Sequence, residues 1–307
     1  MKVGIHLPQW GASATREGVL SVARAAEAAG VDSVWVADHV VFPADSTSTY
    51  PYRKAGVPFT PEDGFLEGLT MLAAVAGATD RVFLGTSVLV LPMREPLLTA
   101  KTIATMDVLS GGRVTVAVGA GWWREEFDAL GAPFAGRGAR FDDQLDILRE
   151  AWSSGHVRGR GHYGFGEVAC LPRPVQPGGP RIWIGGLGPA SLRRVVRVGD
   201  GWHAVGSDLT ALRDGRRELD RLAAAAGRDP ASIAVSTSTG FGRGVEQALD
   251  RLLALAGAGV DQVVLNVGGP DATAADVCRT LDDFAIHIRP VLDNEARVTA
   301  DSARRDR

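Results

Sequence analysis

Ala29-Gly-Val-Asp-Ser-Val-Trp-Val36 and Ala258-Gly-Val-Asp-Gln-Val-Val-Leu265 follow one pattern, and a shorter version stands at Val198-Gly-Asp-Gly-Trp202. Each copy follows an Ala-, Leu- and Arg-rich stretch with helical spacing and opens into a β-branched or aromatic run. Gly30, Gly199 and Gly259 fall where a helix stop adopts left-handed backbone, which glycine takes without a Cβ clash. The runs that follow are nearly continuously apolar, as in strands covered on both faces. The repeating unit is therefore a helix, a tight stop and a buried parallel strand.

Extended along the 307 residues, this unit predicts strands over 2–7, 33–37, 82–88, 114–119, 181–185, 201–204, 234–239 and 262–267. Helices are predicted over 16–29, 65–78, 97–109, 140–153, 190–198, 210–226, 245–257 and 272–289. Eight parallel strands alternating with helices close into a single α/β unit, a (β/α)8 TIM barrel that leaves no sheet edge exposed. A doubly wound open sheet is the competing arrangement. Residues 1–293 would form the barrel and 294–307 a polar tail that frays. Two insertions exceed ordinary loop length. The one after strand 2, over 40–63, lies on the catalytic face, where long loops act as lids. The one before strand 5, over 155–180, begins on the opposite face and is long enough to wrap over the barrel.

An apolar content of 45% and a charged content of 22% are ordinary for a soluble chain. A net charge of −3 provides no basic field for nucleic acid or anionic membrane. The longest apolar runs are broken by Gly and Thr and are too short to span a bilayer. The chain opens on strand-like Lys2-Val-Gly-Ile-His-Leu7, which reads as no signal peptide and a cytoplasmic location. Cys170 and Cys278 lie far apart, so neither a disulfide framework nor a cysteine metal cluster is expected.

In a barrel, chemistry gathers at the C-terminal strand ends. Strand 2 ends in Asp38-His39; alternation sets His39 with Trp35 and Ala37 and puts Asp38 on the other side. His39 suits proton transfer near neutral pH, with Asp38 orienting it or a loop. In strand 3, Gly85, Thr86 and Ser87 are small enough for a flat ligand to approach, although Gly85 reads better as core packing. Strand 4 ends in Gly119-Ala-Gly121-Trp122-Trp123. A dinucleotide fingerprint fails here, because Arg124 stands at the third glycine position. Glycines followed by two tryptophans fit a stacked planar ligand, with one of the two indoles belonging to the core. Gly185-Gly186-Leu187-Gly188 leads from strand 5 into a helix, and its amides would favour an anion, a phosphate above all, or simply form a tight turn. There is no His-x-His on strand 1, no Walker loop, no nucleophile elbow and no His-Glu-x-x-His, so no metal site is expected.

Taken together, Leu72–Pro96, the blocks Ala104-Thr-Met-Asp-Val-Leu-Ser-Gly-Gly-Arg113, Val118-Gly-Ala-Gly-Trp122 and Glu126-Phe-Asp-Ala-Leu-Gly131, and the later Ile182-Trp-Ile-Gly-Gly186 and Gly199-Asp-Gly-Trp202 resemble the luciferase-like monooxygenase superfamily, in particular its F420-dependent oxidoreductases. The resemblance runs over nearly the whole chain. It implies a flavin or deazaflavin ring at the C-terminal face, resting on a bulge with a non-prolyl cis peptide that matches Ser87-Val88. It places the cofactor against Thr86, Ser87, Val88, Gly119, Gly121, Trp122, Gly185, Gly186, Leu187 and Gly188, and makes Asp38-His39 the catalytic pair.

One departure matters. The F420-dependent sugar-phosphate dehydrogenases carry a glutamate acid where this chain has Trp122, which argues against sugar-phosphate oxidation and leaves the proton donor open. Glu125 and Glu126 follow, read as the solvated start of a helical turn. F420 has a polyanionic tail, and Arg94, Arg124, Arg137 and Arg140 fall on loops of the catalytic face, so F420 is the preferred cofactor and FMN the alternative. The expected reaction is hydride transfer between F420 and an apolar small-molecule substrate beneath the 40–63 lid, with Trp10 and Trp122 lining the cavity. The alternatives are an FMNH2-dependent two-component monooxygenase served by a separate reductase, and a ligand-binding barrel without turnover. Family members are often dimers, so a homodimer is expected.

Overall fold

The computed structural model describes residues 1–51, 56, 60, 62–206, 208–295 and 297. Eight parallel strands close into one barrel in the order β1 (Lys2–His6), β2 (Ser33–Val36), β3 (Phe83–Val90), β4 (Val114–Gly119), β7 (Arg181–Gly185), β8 (Gly201–Ala204), β9 (Ala234–Gly240) and β10 (Gln262–Asn266), with β10 paired back to β1. The two remaining strands, β5 (His156–Val157) and β6 (Val168–Ala169), form a small antiparallel hairpin outside it. The helices are α1 (Arg16–Ala28), α2 (Gly68–Ala76), α3 (Pro96–Ser110), α4 (Arg124–Ala129), α5 (Arg137–Ser154), α6 (Pro189–Val198), α7 (Leu209–Ala225), α8 (Val245–Gly257) and α9 (Ala274–Asp283).

The repeated Asp explains why the phrase recurs. The N–H of Asp32 donates to the Val3 carbonyl at 2.8 Å, while its carboxylate accepts the Val3 N–H at 2.8 Å. Asp200 does the same with Ile182, and Asp261 with Val235. One residue ahead of β2, β8 and β10, this Asp satisfies both backbone groups at the start of the preceding barrel strand, so it sets register as well as ending the turn. Gly30 and Gly259 have φ of 74° and 82°, as expected of helix stops. Gly199 differs: its backbone is extended, and a Cβ there would lie 3.0 Å from Val195 Cα and 3.1 Å from the Ile184 side chain. Close packing, not handedness, demands glycine at that position.

Trp35 and Trp183 fill the barrel bore, with ring centroids 5.6 Å apart. Gly85 has no room for a side chain, because its Cβ would stand 2.4 Å from the Trp35 ring. Arg113, the last residue of the Ser-Gly-Gly-Arg block, buries its guanidinium on the carbonyls of Ala76, Thr79, Val82 and Ser110, a structural role.

Three further expectations change. Helix 65–78 shortens to α2, because Phe65 pairs with Trp10 as an isolated bridge. The 155–180 insertion does not wrap over the mouth. Its Val175 and Gln176 amides donate to Asp107 on α3, and the Gln176 side chain reaches the Val114 carbonyl at the start of β4, so the insertion packs against the opposite end. The last helix crosses the expected boundary at 294: after α9 a π-helical turn (Phe284–Ile288) leads into helix over 289–295, with Leu292 buried. The rest of the expected tail, like 52–55 and 57–59 of the lid, lies outside the described residues, apart from Arg297.

Candidate active site

A cavity of about 880 Å³ opens at the C-terminal end of the barrel. Its floor is built by β3. A cis peptide joins Ser87 to Val88, and the register against β4 shifts between Ser87 and Leu89, so Val88 bulges into the mouth. Two expected cofactor glycines respond to that bulge. A Cβ on Gly119 would stand 2.9 Å from Val88 Cγ2, and one on Gly185 2.9 Å from Val88 Cγ1. Gly121 has φ of 79°, and its Cβ would collide with Phe127 and Val90. These glycines admit the protein's own side chains.

Ser87, Val88, Gly119, Gly121, Trp122, Gly185, Gly186, Leu187 and Gly188 all line the cavity. Thr86 does not. It is buried and its hydroxyl donates to the Ala117 carbonyl at 2.8 Å, because alternation along β3 turns it away from Ser87. Trp123 is the core indole, buried with its Nε1 donating to Ser46 Oγ at 2.7 Å. Trp122 stacks on it at 5.0 Å and faces the cavity.

His39 sits among Phe42, Phe65, Trp122 and Trp123. The structure corrects the reading of its surroundings in two ways. Asp38 does not serve His39: its carboxylate accepts the Val90 N–H at 2.7 Å and Arg94 Nη2 at 2.6 Å, and so ties β2 to the end of β3. Glu126 takes that place. Although read as solvated, it is 2% exposed, with Oε2 2.9 Å from His39 Nδ1 and Oε1 accepting the Val40 N–H at 2.7 Å. Its spacing carried a usable signal, since Glu126 and Phe127 lie three and four residues after Trp123 and share a face of α4 with that buried indole. Neighbouring Glu125 grips the lid instead, accepting from the Thr47 amide at 2.8 Å and the Ser48 hydroxyl at 2.5 Å, which hold its carboxyl down to about 2.

The four arginines separate as well. Arg94 is engaged by Asp38 and Glu67, and Arg140 donates to the Ala135 carbonyl. Arg124 and Arg137 both stack on the Phe134 ring, at 4.3 and 3.9 Å from its centroid, and Arg137 Nε donates to the carbonyl of cavity-lining Gly121 at 3.1 Å. Desolvation, with the charge of Arg124, lowers the Arg137 pKa. Sequence reading also passed over His6, His203 and Ser238, which line the cavity floor and wall. Burial pushes the His203 imidazole down to about 3 and that of His6 to about 4.

A closed (β/α)8 barrel whose mouth carries a His–Glu couple and a glycine-rich turn before a helix frames the candidate site. The family model described as luciferase-like monooxygenase matches residues 1–287, and the chain belongs to that family. An uncharacterized protein of Mycobacterium tuberculosis is 33% identical over 278 residues, covering 88% of this chain and 93% of its own. The F420-dependent glucose-6-phosphate dehydrogenase of Amycolatopsis mediterranei is 35% identical over 184 residues, 58% of this chain and 50% of its own. Among solved structures, monooxygenase RslO1 from Streptomyces bottropensis superposes with a TM-score of 0.74 at 26% identity, over 95% of this chain and 100% of that one.

Proposed function

We propose that the protein is an F420-dependent oxidoreductase that moves a hydride between the deazaflavin and an apolar small-molecule substrate. A planar tricycle suits the cavity on three grounds. Gly119, Gly185, Gly186 and Gly188 line it beside Val88, the buried hydroxyl of cavity-lining Ser238 has no hydrogen-bond partner among the described residues, and α6 begins with no side-chain cap beside Gly188. Val88, Gly119, Trp122 and Gly185–Gly188 would hold the ring and its phosphate. When bound, the deazaflavin supplies the hydride carrier.

The chain's own part is to position and to move a proton. Glu126 fixes the His39 ring through Nδ1 and offsets the positive charge of its protonated form, so the imidazole exchanges its proton with the substrate through Nε2. The aromatic box and the lid, held by Glu125, Glu126 and Trp123, exclude water from that exchange. Trp122 in place of a glutamate supports an apolar substrate over a sugar phosphate.

The observation that carries the choice of F420 is the Arg124–Phe134–Arg137 clasp. It presents two guanidiniums, neither of which meets a carboxylate among the described residues, next to the cavity wall at Gly121. A polyanionic tail beyond the phosphate needs such a station, and FMN ends at its ribityl phosphate. Titration with F420 and with FMN, followed by tryptophan fluorescence, tests the proposal. F420 should bind, and Arg124→Gln should weaken F420 while leaving FMN unchanged. Binding of FMN alone would move the protein to the flavin-dependent class, and binding of neither would favour a barrel without turnover.

A further inference from the structure

Below the cavity floor a hydrogen-bonded line runs through the barrel bore. Ser236 on β9 is fully buried, with its Oγ 2.6 Å from Nδ1 of His203 on β8. Nε2 of the same ring lies 2.8 Å from Oγ of Ser87, the residue before the Val88 bulge. The His203 ring is stacked on Trp35 at 5.7 Å with an interplanar angle of 7°, which holds the plane of the ring.

A neutral imidazole has one N–H and one lone pair, so the two contacts must run in a single direction. Burial keeps His203 neutral at any ordinary pH. Among the described residues, the Ser236 hydroxyl meets no hydrogen-bond partner except His203 Nδ1. Were Nδ1 to carry the proton, the Ser236 O–H would be a buried donor with nothing to bond, an arrangement folded proteins avoid. Ser236 therefore donates to Nδ1, and Nε2–H donates to Ser87. The Ser87 oxygen then serves as acceptor on the bore side, while its own proton has no acceptor in the protein among the described residues. Ser87 lines the cavity, so that proton points into it.

We propose that Ser87 is a one-way hydrogen-bond donor at the cavity floor, set by the positioning residues His203 and Ser236, so that the site selects a ligand presenting an acceptor there, a carbonyl oxygen or an unprotonated ring nitrogen. The donor's direction stands without the cofactor assignment. Only the identity of the guest rests on that reading.

Two measurements test this. Two-bond ¹H–¹⁵N correlation of the histidine rings in the full-length, ligand-free protein at neutral pH should show His203 protonated at Nε2 and bare at Nδ1. Ser236→Ala should relax that preference and broaden or move the His203 signals. A His203 ring protonated at Nδ1 overturns the proposal whether or not any cofactor binds. In fluorescence titration with whichever of F420 and FMN the parent binds, Ser87→Ala should weaken affinity about five- to tenfold. Ser236→Ala, which touches no ligand, should reproduce part of that loss. Unchanged affinity in Ser87→Ala overturns the donor role, and a parent that binds neither cofactor overturns the cofactor reading while the tautomer still decides the direction.

Discussion

Replacing Gly119 by alanine separates two reasons for a glycine at the end of β4. The new Cβ would stand 2.9 Å from Val88 Cγ2, short of a normal carbon–carbon contact by roughly 0.6–1 Å. On its other side Val88 Cγ1 occupies the place where a Cβ on Gly185 would stand 2.9 Å away, so the valine is seated between two glycines. Overpacking of this kind destabilises by about 1–3 kcal/mol. Val88→Ala removes both Cγ atoms and alone should cost about 1 kcal/mol. Combined with Gly119→Ala it should recover most of the strain, since the added methyl enters the vacated space. The assay is urea unfolding of the parent, both single variants and the double variant, read as shifts in midpoint at constant slope. The expected coupling is about 1–3 kcal/mol in favour of the double variant. If Gly119 were glycine only to make room for a ligand, Gly119→Ala would unfold like the parent and lose only cofactor affinity. A single variant within about 0.5 kcal/mol of the parent, or an additive cycle, refutes the packing argument.

Other outcomes follow from the same geometry. Glu126→Ala leaves the Val40 amide and His39 Nδ1 without their acceptor and should cost about 2–4 kcal/mol in urea unfolding. Glu126→Gln, which keeps the shape, should fold nearly normally while steady-state turnover falls at least about tenfold. Asp38→Ala leaves the Val90 N–H without its acceptor and Arg94 with Glu67 in place of two carboxylates, and should cost about 2–4 kcal/mol, with His39 still in place by its NMR signals. His203 goes from 6.5 in the unfolded chain to about 3 in the fold, a depressed value. Its preference for the folded state is therefore fully present above pH 6.5 and declines as pH falls toward 3, by up to about 1.4 kcal/mol for each pH unit. A His203→Gln variant should lose that part of the acid slope in its unfolding midpoints, and identical slopes would show that the ring is not held neutral by burial.

The barrel was legible because its signals are local. Helix period, glycine stops and continuous apolar runs are properties of neighbouring residues, and the recurring Gly-Val-Asp phrase marks the same junction at two places in the chain, with Gly-Asp at a third. Strand ends inherit their position from those strands, so His39, Ser87 and the glycines at 119, 121 and 185 could be placed at the mouth before any fold was known. Which side chain answers which was decided only by closure. Glu125 and Glu126 are chemically identical neighbours, yet one grips the lid and the other buries itself on His39 across 87 positions of sequence. Asp38, adjacent to His39, is drawn away by Arg94, which lies 56 positions on. Glycine is equally ambiguous in one dimension: Gly199 and Gly259 occupy the same slot of the repeat, one extended and pressed against Val195, the other left-handed. Sidedness is set within a few residues, but the partner of a buried charge is whatever group the closed barrel brings within three ångströms, and that is a property of the whole sheet.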